Sequence, residues 1–276
     1  MASKRNVKMA EIIVFDVGLG DCLHIQVFPG IFKGETSTSY LVDTGRKKRY
    51  AYIHKKLEQL GKTVDYIVLT HEHGDHIAGC EEFLKAYDVK KVMFWLSGSA
   101  DVTNKKNIIS AISTRSEKII QPYDTKNTSK YFPDFKVLYP FDKNLEKNSD
   151  PNHNSIVLQL CIGKNKMLLM GDGTKREEKL CLNKYNDDIK ESSLIKIGHH
   201  GSNTSSDRKF LEAFSQEALG IVSCSDSKSP PPHMEMLDLW QEIKQRKLEF
   251  TEHQQKRKSM KIVVTMEGEV KIEILS

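Results

Sequence analysis

Several features of membrane and secreted proteins are missing from this sequence. Its apolar runs stay short of the roughly 18 residues that a membrane-spanning helix needs. Residues 1–10 include basic side chains but lack the apolar core of a signal peptide. The 5 cysteines are an odd number and show no paired spacing, which argues against a disulfide framework. We therefore expect a soluble, cytoplasmic protein without membrane contact.

Repeats and low-complexity linkers are also missing from the 276 residues. The chain is longer than a typical domain but can still form one unit, so we predict a single domain over residues 1–276. The segment 97–130 is polar and rich in Lys, Ser, Thr and Asn. It is the best candidate for an insertion, and we expect it to form a loop and a helix near the mouth of the site.

Charge of one sign does not dominate either, because the net charge is only +5. Charged residues make up 29% of the sequence, which is an ordinary share. Basic clusters occur at 46–49, 105–106 and 256–258. Such clusters are usually solvated faces, but basic residues near a site attract polyanions and make their binding salt-dependent. Arg46 closely follows the acidic residue Asp43, and it is the first candidate for contacting a phosphate-rich substrate.

The most informative stretch that is present covers residues 70–79, which read THEHGDHIAG. It follows the short aliphatic run 66–69, which is typical of a buried strand. Histidine and aspartate suit divalent metals of borderline softness, and Gly74 lets the backbone curl after the strand. The spacing differs from the helical H-E-x-x-H pattern. The sequence therefore predicts a metal cradle built from His71, His73, Asp75 and His76.

Further acidic residues and histidines stand at predicted strand ends. Asp16 and Asp21 flank a glycine turn between the strands predicted at 12–15 and 23–27, where they could cap backbone amides or support metal ligands. Asp172 follows an apolar strand and lies between two glycines, where its carboxylate could bind a metal or form an Asx-turn. Helices are predicted over 175–185, 207–218 and 234–245, and a terminal hairpin over 261–264 and 270–275.

Five segments together resemble the metallo-β-lactamase fold and follow its order along the chain. They are residues 15–22 (FDVGLGDC), 41–45 (LVDTG), 70–79, 168–173 (LLMGDG) and 197–202 (IGHHGS). The first and last are similar to the soluble metallo-β-lactamase-like domain of the ComEC family. The resemblance implies an α/β fold: a four-layer αββα sandwich with two mixed β-sheets and a site at their edge.

The same resemblance implies a role for each site residue. His71 and His73 would bind the first metal, and Asp75, His76 and His199 the second. Asp172 would bridge both metals, while Asp43 would orient the metal loop through hydrogen bonds. His153 could complete the first shell; alternatively a water does so, and the neighbouring side chains contact substrate. The residues assigned to substrate binding are Asn154, Ser155, Ser202 and Arg46, and those assigned to catalysis are Asp75, His200 and His233.

These assignments predict a hydrolase with two divalent ions, Zn²⁺ or Mn²⁺, that hold a hydroxide between them. A phosphodiesterase or nuclease fits best, with His200 or His233 protonating the leaving oxygen. The fold also opens other esters, thioesters, lactones and lactams, so these remain alternatives. A third alternative is a non-catalytic or partner-dependent subunit of a multi-protein bacterial system, whose partners the sequence does not identify.

Overall fold

The computed structural model describes residues 7–29, 36–95, 103–114, 118–143, 145, 150–224, 231–245, 248–253 and 256–275. Their strands, labelled β1 to β16 in chain order, are Val7–Val14, Leu23–Pro29, Thr38–Val42, Tyr66–Leu69, Lys91–Phe94, Lys118–Ile120, Phe135–Tyr139, Val157–Ile162, Asn165–Leu169, Leu194–Lys196, Leu219–Val222, Glu249–Phe250, Glu252–His253, Lys256–Arg257, Ser259–Thr265 and Val270–Leu275. Their helices, labelled α1 to α8, are Tyr50–Gln59, Gly74–Ile77, Cys80–Ala86, Thr103–Thr114, Thr125–Tyr131, Lys175–Lys190, Arg208–Ala213 and Met234–Ile243.

The larger sheet has eight strands in the order β16-β15-β1-β2-β3-β4-β5-β6. Neighbouring strands from β16 to β3 are antiparallel, whereas those from β3 to β6 are parallel. The smaller sheet has the order β12-β11-β10-β9-β8-β7. Here β7 to β9 are antiparallel and β9 to β12 are parallel. Both sheets are therefore mixed, as predicted, and each has parallel strands whose carboxyl ends share one edge.

Alternating side chains of β1 show how the layers are held together, since successive residues of a strand point to opposite faces. Ile12 and Val14 lie in a buried cluster with residues of β8 and β9 in the smaller sheet. Ile13, and Phe15 directly after the strand, lie in a second cluster with buried residues of α1 and α3. Helices α6, α7 and α8 also contribute buried residues to the first cluster. The layers are therefore α1 with α3, the larger sheet, the smaller sheet, and α6 to α8. The predicted four-layer sandwich is confirmed.

Local predictions agree with the structure best where a strong apolar pattern exists. The strand predicted at 66–69 is β4, and the predicted terminal hairpin is β15 with β16. Helix α6 continues to Lys190, but Tyr185, where the prediction ended, has non-helical backbone angles. Helix α7 ends at Ala213, earlier than the predicted residue 218.

The predicted insertion, residues 97–130, lies partly outside the described residues. The described part contains α4, β6 and most of α5. Strand β6 pairs with β5 and extends the larger sheet, so the described part includes a sheet strand; the insertion and its place near the mouth of the site stay a prediction. In the part of the chain that the structure describes, no helix is long and apolar enough to cross a bilayer.

Candidate metal centre

The candidate site lies where strands of both sheets end. Asp43 and the histidine motif follow the parallel strands β3 and β4, and Asp172 follows β9 in the other sheet. Side chains at the carboxyl ends of neighbouring parallel strands lie close together. The loop between β1 and β2 reaches the same place: Gly20 has a φ of +117°, and a Cβ there would lie 2.1 Å from the carbonyl oxygen of Asp75. Only glycine permits this close approach.

Asp172 occupies the centre of the cluster. Its Oδ2 lies 3.7 Å from Nε2 of His71 and 3.3 Å from Nε2 of His76, and its Oδ1 lies 3.3 Å from Nε2 of His200. The residue is only 2% exposed. Among the described residues, Oδ1 has no hydrogen-bond partner. A buried carboxylate oxygen in this state requires explanation, and a bound cation is one.

Asp43 supports the histidine motif from behind. Its Oδ1 accepts from the backbone N–H of Thr70 at 2.8 Å, and its Oδ2 accepts from the Thr70 hydroxyl at 2.7 Å. The same Oδ2 lies 2.7 Å from Nδ1 of His76. This bond leaves Nε2 of His76 directed towards Asp172. Asp43 thus makes the orienting hydrogen bonds expected of it.

The structure places His200, rather than His199, inside the cluster. His200 is 2% exposed, and its Nδ1 donates to the carbonyl oxygen of Ser223 at 2.8 Å, which leaves Nε2 facing Asp172. The His199 side chain is 24% exposed, with Nε2 4.0 Å from Asp172 Oδ2. Both histidines have left-handed φ angles, 44° and 54°, and this turn brings the second ring inward. The sequence predicts His199 as a ligand of the second metal, whereas the ring nearer to Asp172 in the structure is that of His200.

Ligand atoms converge in several overlapping groups. Atoms within 4.8 Å of one another occur in the sets His71–His76–Asp172, Asp75–His76–His200, Asp21–Asp172–His200 and Asp21–Asp43–His76. His73 is close to the first set, because its Nδ1 lies 3.1 Å from Nε2 of His71. The structure therefore brings together all residues of the predicted cradle. These His and Asp groups are compatible with divalent metal binding.

His153 lies outside the four groups found among the described residues. Its Nδ1 is 3.1 Å from Glu177 Oε2 and 3.1 Å from the Thr174 hydroxyl. Thr174 and Glu177 also form the capping box that begins α6. His153 is therefore held against the start of the helix that follows Asp172.

The residues predicted to bind substrate differ in accessibility. Ser155 is fully buried, and its hydroxyl accepts from the Asp172 N–H at 3.1 Å, so it supports the central carboxylate; Asn154 is buried too. Ser202 is 5% exposed and accepts from the Thr204 N–H and hydroxyl. Arg46 and His233 are each partly exposed. Nδ1 of His233 accepts from the backbone N–H of Asn203 at 3.3 Å.

The acids of the β1–β2 loop have different roles. Asp16 Oδ1 accepts from the Gly18 N–H at 3.1 Å, so Asp16 caps the turn. Asp21 reaches the cluster, with Oδ1 3.6 Å from His200 Nδ1. Its Oδ2 lies 2.5 Å from the ammonium of Lys196, a lysine that is 1% exposed on β10. Sequence reasoning missed Lys196, although a lysine within the apolar run 194–197, just before two histidines, is an available signal.

Burial and charge shift the pKa values of the central groups in different directions. Burial lowers the pKa of His71 well below its ordinary value, and His76 lowers it further. Burial also disfavours the charged form of His76, but Asp172 and Asp43 outweigh it and raise the pKa of His76. Burial raises the pKa of Asp172, but His200 and His76 outweigh it and hold that pKa well below its ordinary value. The negative carboxylate of Asp172 and a protonated His76 thus stabilise each other.

Comparison with known proteins agrees with this geometry. The family model described as the metallo-beta-lactamase superfamily matches residues 30–222. ComE operon protein 3 of Bacillus subtilis is 26% identical over 247 residues, which cover 84% of this chain and 30% of that protein. Competence protein ComA of Neisseria gonorrhoeae is 44% identical over 85 residues, 30% of this chain and 12% of that protein. The chain thus spans less than a third of the length of either relative.

Among solved structures, unliganded yeast PDE1 superposes with a TM-score of 0.52 at 10% identity, covering 88% of this chain and 97% of that one. At this identity the superposition shows a shared fold only. The family match covers more than half of the chain, and the matches to the two competence proteins support the resemblance to the ComEC family. The chain belongs to the metallo-beta-lactamase superfamily.

Proposed function

We propose that this protein is a two-metal hydrolase of phosphodiester bonds and that its substrate is nucleic acid. The position of Asp172 carries the proposal. Its Oδ2 lies between His71, assigned below to one ion, and His76, assigned to the other, and its Oδ1 faces His200, which is assigned to the same ion as His76. A carboxylate between two groups of imidazoles is suited to bridge two cations.

The donor atoms fit two divalent ions. His71, His73 and Asp172 would hold one ion, and Asp75, His76, His200 and Asp172 the other. Imidazole and carboxylate ligands suit Zn²⁺ and Mn²⁺, and an ion would satisfy the Asp172 oxygen that has no hydrogen-bond partner among the described residues. Because Nδ1 of His153 is held by Glu177 and Thr174, either its Nε2 or a water would complete the first set.

When bound, the two ions would lower the pKa of a water molecule and offset the negative charge that grows on the phosphate oxygens. The chain's own residues orient the ligands: Asp43 holds His76 through Nδ1, and Ser223 holds His200 through Nδ1. This leaves the Nε2 atoms of both rings for the ions. Second-layer hydrogen bonds of this kind fix the tautomer of a ligating histidine.

A hydrogen-bond donor for the leaving oxygen is also available. Since His200 faces the cluster, we assign this role to His233, the N-cap residue of α8. Its Nδ1 accepts from Asn203 N–H, so in the neutral ring the proton lies on Nε2. His233 is partly exposed and its backbone N–H bonds to the Gly201 carbonyl at 3.0 Å, one residue from His200. This N–H can donate a hydrogen bond to the leaving oxygen as negative charge grows on it.

Basic residues and the curated relatives support a nucleic-acid substrate. Arg46 begins a basic turn, Lys47–Arg49, directly after the Asp43 loop. Cations at the edge of a site attract the phosphate backbone. The Neisseria gonorrhoeae relative is named a competence protein, and a Haemophilus influenzae relative is named a recombination protein. These names also support action within a multi-protein system.

The test is metal-dependent cleavage by metal-free protein reconstituted with Mn²⁺ or Zn²⁺. Substrates are single- and double-stranded DNA, RNA and bis-p-nitrophenyl phosphate, with p-nitrophenyl acetate and a chromogenic β-lactam representing the other bonds opened on this fold. We expect cleavage of phosphodiesters that Asp172→Ala and Asp75→Ala abolish. Hydrolysis of the acetate or the lactam alone would refute the phosphodiester proposal, and no hydrolysis at all would favour the non-catalytic alternative.

The role of Arg46 is tested with DNA at several salt concentrations. Arg46→Ala should raise KM for DNA and weaken its dependence on salt, because fewer phosphate counterions are released on binding. Lys271→Ala is the matched control, since Lys271 is an exposed cation on the edge strand β16. An equal effect of both variants would show that net charge, rather than Arg46, determines DNA binding.

A further inference from the structure

A lysine and an aspartate form a buried ion pair directly behind the metal centre. Lys196 lies on β10 between β9 and β11, and Asp21 lies in the β1–β2 loop of the other sheet. Their side chains are 1% and 3% exposed, and Nζ is 2.5 Å from Oδ2. Nζ is also 3.5 Å from the carbonyl oxygen of Gly171, the residue before Asp172. The ammonium thus contacts two loops of the site.

Stability alone is a poor explanation for such a pair. Removing two charges from water costs free energy that their attraction often does not recover, and hydrophobic replacements of buried pairs are frequently neutral or stabilising. Here the apolar alternative would be natural, since Leu194, Ile195 and Ile197 around Lys196 are all buried. A charged pair at this position therefore calls for a reason connected with the neighbouring site.

The Asp21 carboxylate is close enough to act as a metal ligand. It forms one group of convergent atoms with Asp172 and His200, and a second with Asp43 and His76. Its Oδ1 has no hydrogen-bond partner among the described residues, and its Oδ2 is held by Lys196. An additional carboxylate on the ions would raise the negative charge of the centre and occupy a position that catalytic sites keep open.

Resting on the two-metal function proposed above, we infer that Lys196 is a positioning residue that neutralises Asp21 and keeps this carboxylate out of the coordination sphere. The ammonium supplies a fixed positive charge next to the central acids. It also links the Asp21 loop of the larger sheet to the Gly171 loop of the smaller one. Lys196 acts through Asp21 and does not itself touch substrate.

Substitution of Lys196 and substitution of Asp21 should have opposite effects on Mn²⁺ binding. Lys196→Met leaves Asp21 free to approach the ions, so Mn²⁺ should bind the metal-free protein about tenfold more tightly. Asp21→Asn leaves an uncompensated ammonium beside the ions, so Mn²⁺ should bind about tenfold more weakly. The double variant removes both charges and should return the affinity close to that of the wild type. Calorimetric titration measures all three.

A purely structural pair behaves differently, because either single substitution would then weaken Mn²⁺ binding in the same direction, in step with a lower melting temperature. That result overturns the inference, as does unchanged affinity in both single variants. If one single variant does not fold, the other single variant and the double variant decide the question. The Mn²⁺ affinity must shift in the stated direction in the single variant and return close to the wild-type value in the double variant.

This experiment separates failure of the inference from failure of the proposed function. Metal affinities that shift as stated, without any phosphodiester cleavage by the wild type, would support the role of Lys196 and refute the phosphodiesterase. Phosphodiester cleavage by the wild type, together with weaker Mn²⁺ binding in both single variants, would support the proposed function and refute the role of Lys196. Lys196→Met should also cleave bis-p-nitrophenyl phosphate more slowly despite tighter Mn²⁺ binding.

Discussion

Asp43 combines an unusual backbone conformation with three short contacts. Its φ is 56°, a left-handed value that asparagine tolerates but alanine does not favour. We expect Asp43→Asn to keep the shape of the loop but to orient His76 less strongly, because the charged acceptor of Nδ1 is lost. Mn²⁺ affinity should fall about 10- to 100-fold, while the melting temperature should fall less than in an alanine variant, because the amide keeps one acceptor oxygen. Calorimetric titration and thermal melting test this.

The control for that prediction is Asp43→Ala, which also removes the acceptors of both Thr70 donors. Leaving a buried donor unsatisfied costs about 1–3 kcal/mol, so this variant should lose both affinity and stability in urea denaturation. If Asp43→Asn binds Mn²⁺ like the wild type, Asp43 contributes only to the fold.

His24 gives a prediction on pH that does not involve the metal centre. The ring is fully buried on β2, with Nε2 2.8 Å from the Thr63 carbonyl oxygen. Burial lowers the pKa of His24 to about 4, against an opposing effect of the Thr63 hydrogen bond. Because the folded pKa is below the unfolded value near 6.5, folding stabilises the neutral ring. This contribution is complete above pH 6.5 and is lost as the pH falls towards 4.

The expected loss is about 3 kcal/mol of unfolding free energy across that interval. His24→Gln keeps an N–H donor for Thr63 but does not titrate. The stability difference between wild type and His24→Gln should therefore shift in favour of the variant between pH 6.5 and 4.5, as measured by urea denaturation. A difference that is constant with pH would mean that His24 is accessible to protons in the folded state.

At the scale of elements, helix α6 fixes the loop that follows the inward-facing histidine. The Glu178 carboxylate on α6 accepts from the backbone N–H groups of Ser206 and Asp207 at 2.6 and 2.8 Å. Ser206 has a left-handed φ of 64°, so the loop depends on these bonds for its shape. Burial raises the pKa of Glu178 to about 7, although the two N–H bonds lower it.

We predict that Glu178→Gln destabilises this loop, because an amide has one acceptor oxygen for two buried donors. The unfolding free energy should fall by about 1–3 kcal/mol, and amide hydrogen exchange should accelerate at Ser206 and Asp207. Glu217→Gln, a substitution of an exposed glutamate, is the control and should change neither. Unchanged exchange in Glu178→Gln would show that other contacts hold the loop.

Elements with a strong apolar pattern or a glycine turn could be predicted, whereas a left-handed turn without glycine and a buried charge could not. The aliphatic run of β4 and the glycine turn before β2 lead to the correct strands, because side-chain alternation and turn chemistry are local properties. The order of His199 and His200 depends on two left-handed residues, a conformation that a non-glycine sequence does not indicate. Lys196 resembles any strand lysine until the Asp21 loop of the other sheet is placed against it.

At the scale of the whole molecule, the centre joins the two sheets. Its ligands follow β4 in the larger sheet and β9 and β10 in the smaller one, so bound ions would cross-link the layers. Ligands that bind only the folded state stabilise it by mass action. Metal binding should therefore raise the stability of the entire fold, in addition to ordering the loops around Asp172.

The last prediction follows from this linkage. With Mn²⁺ at about 100 times its dissociation constant, each bound ion should raise the free energy of unfolding by about 2.7 kcal/mol and the melting temperature by about 5–10 °C for a chain of this size. Removal of metal with EDTA should reverse the shift. Asp172→Ala removes the carboxylate shared by both ligand sets, so its melting temperature should not respond to Mn²⁺. An equal response in this variant would place the stabilising ion elsewhere on the protein.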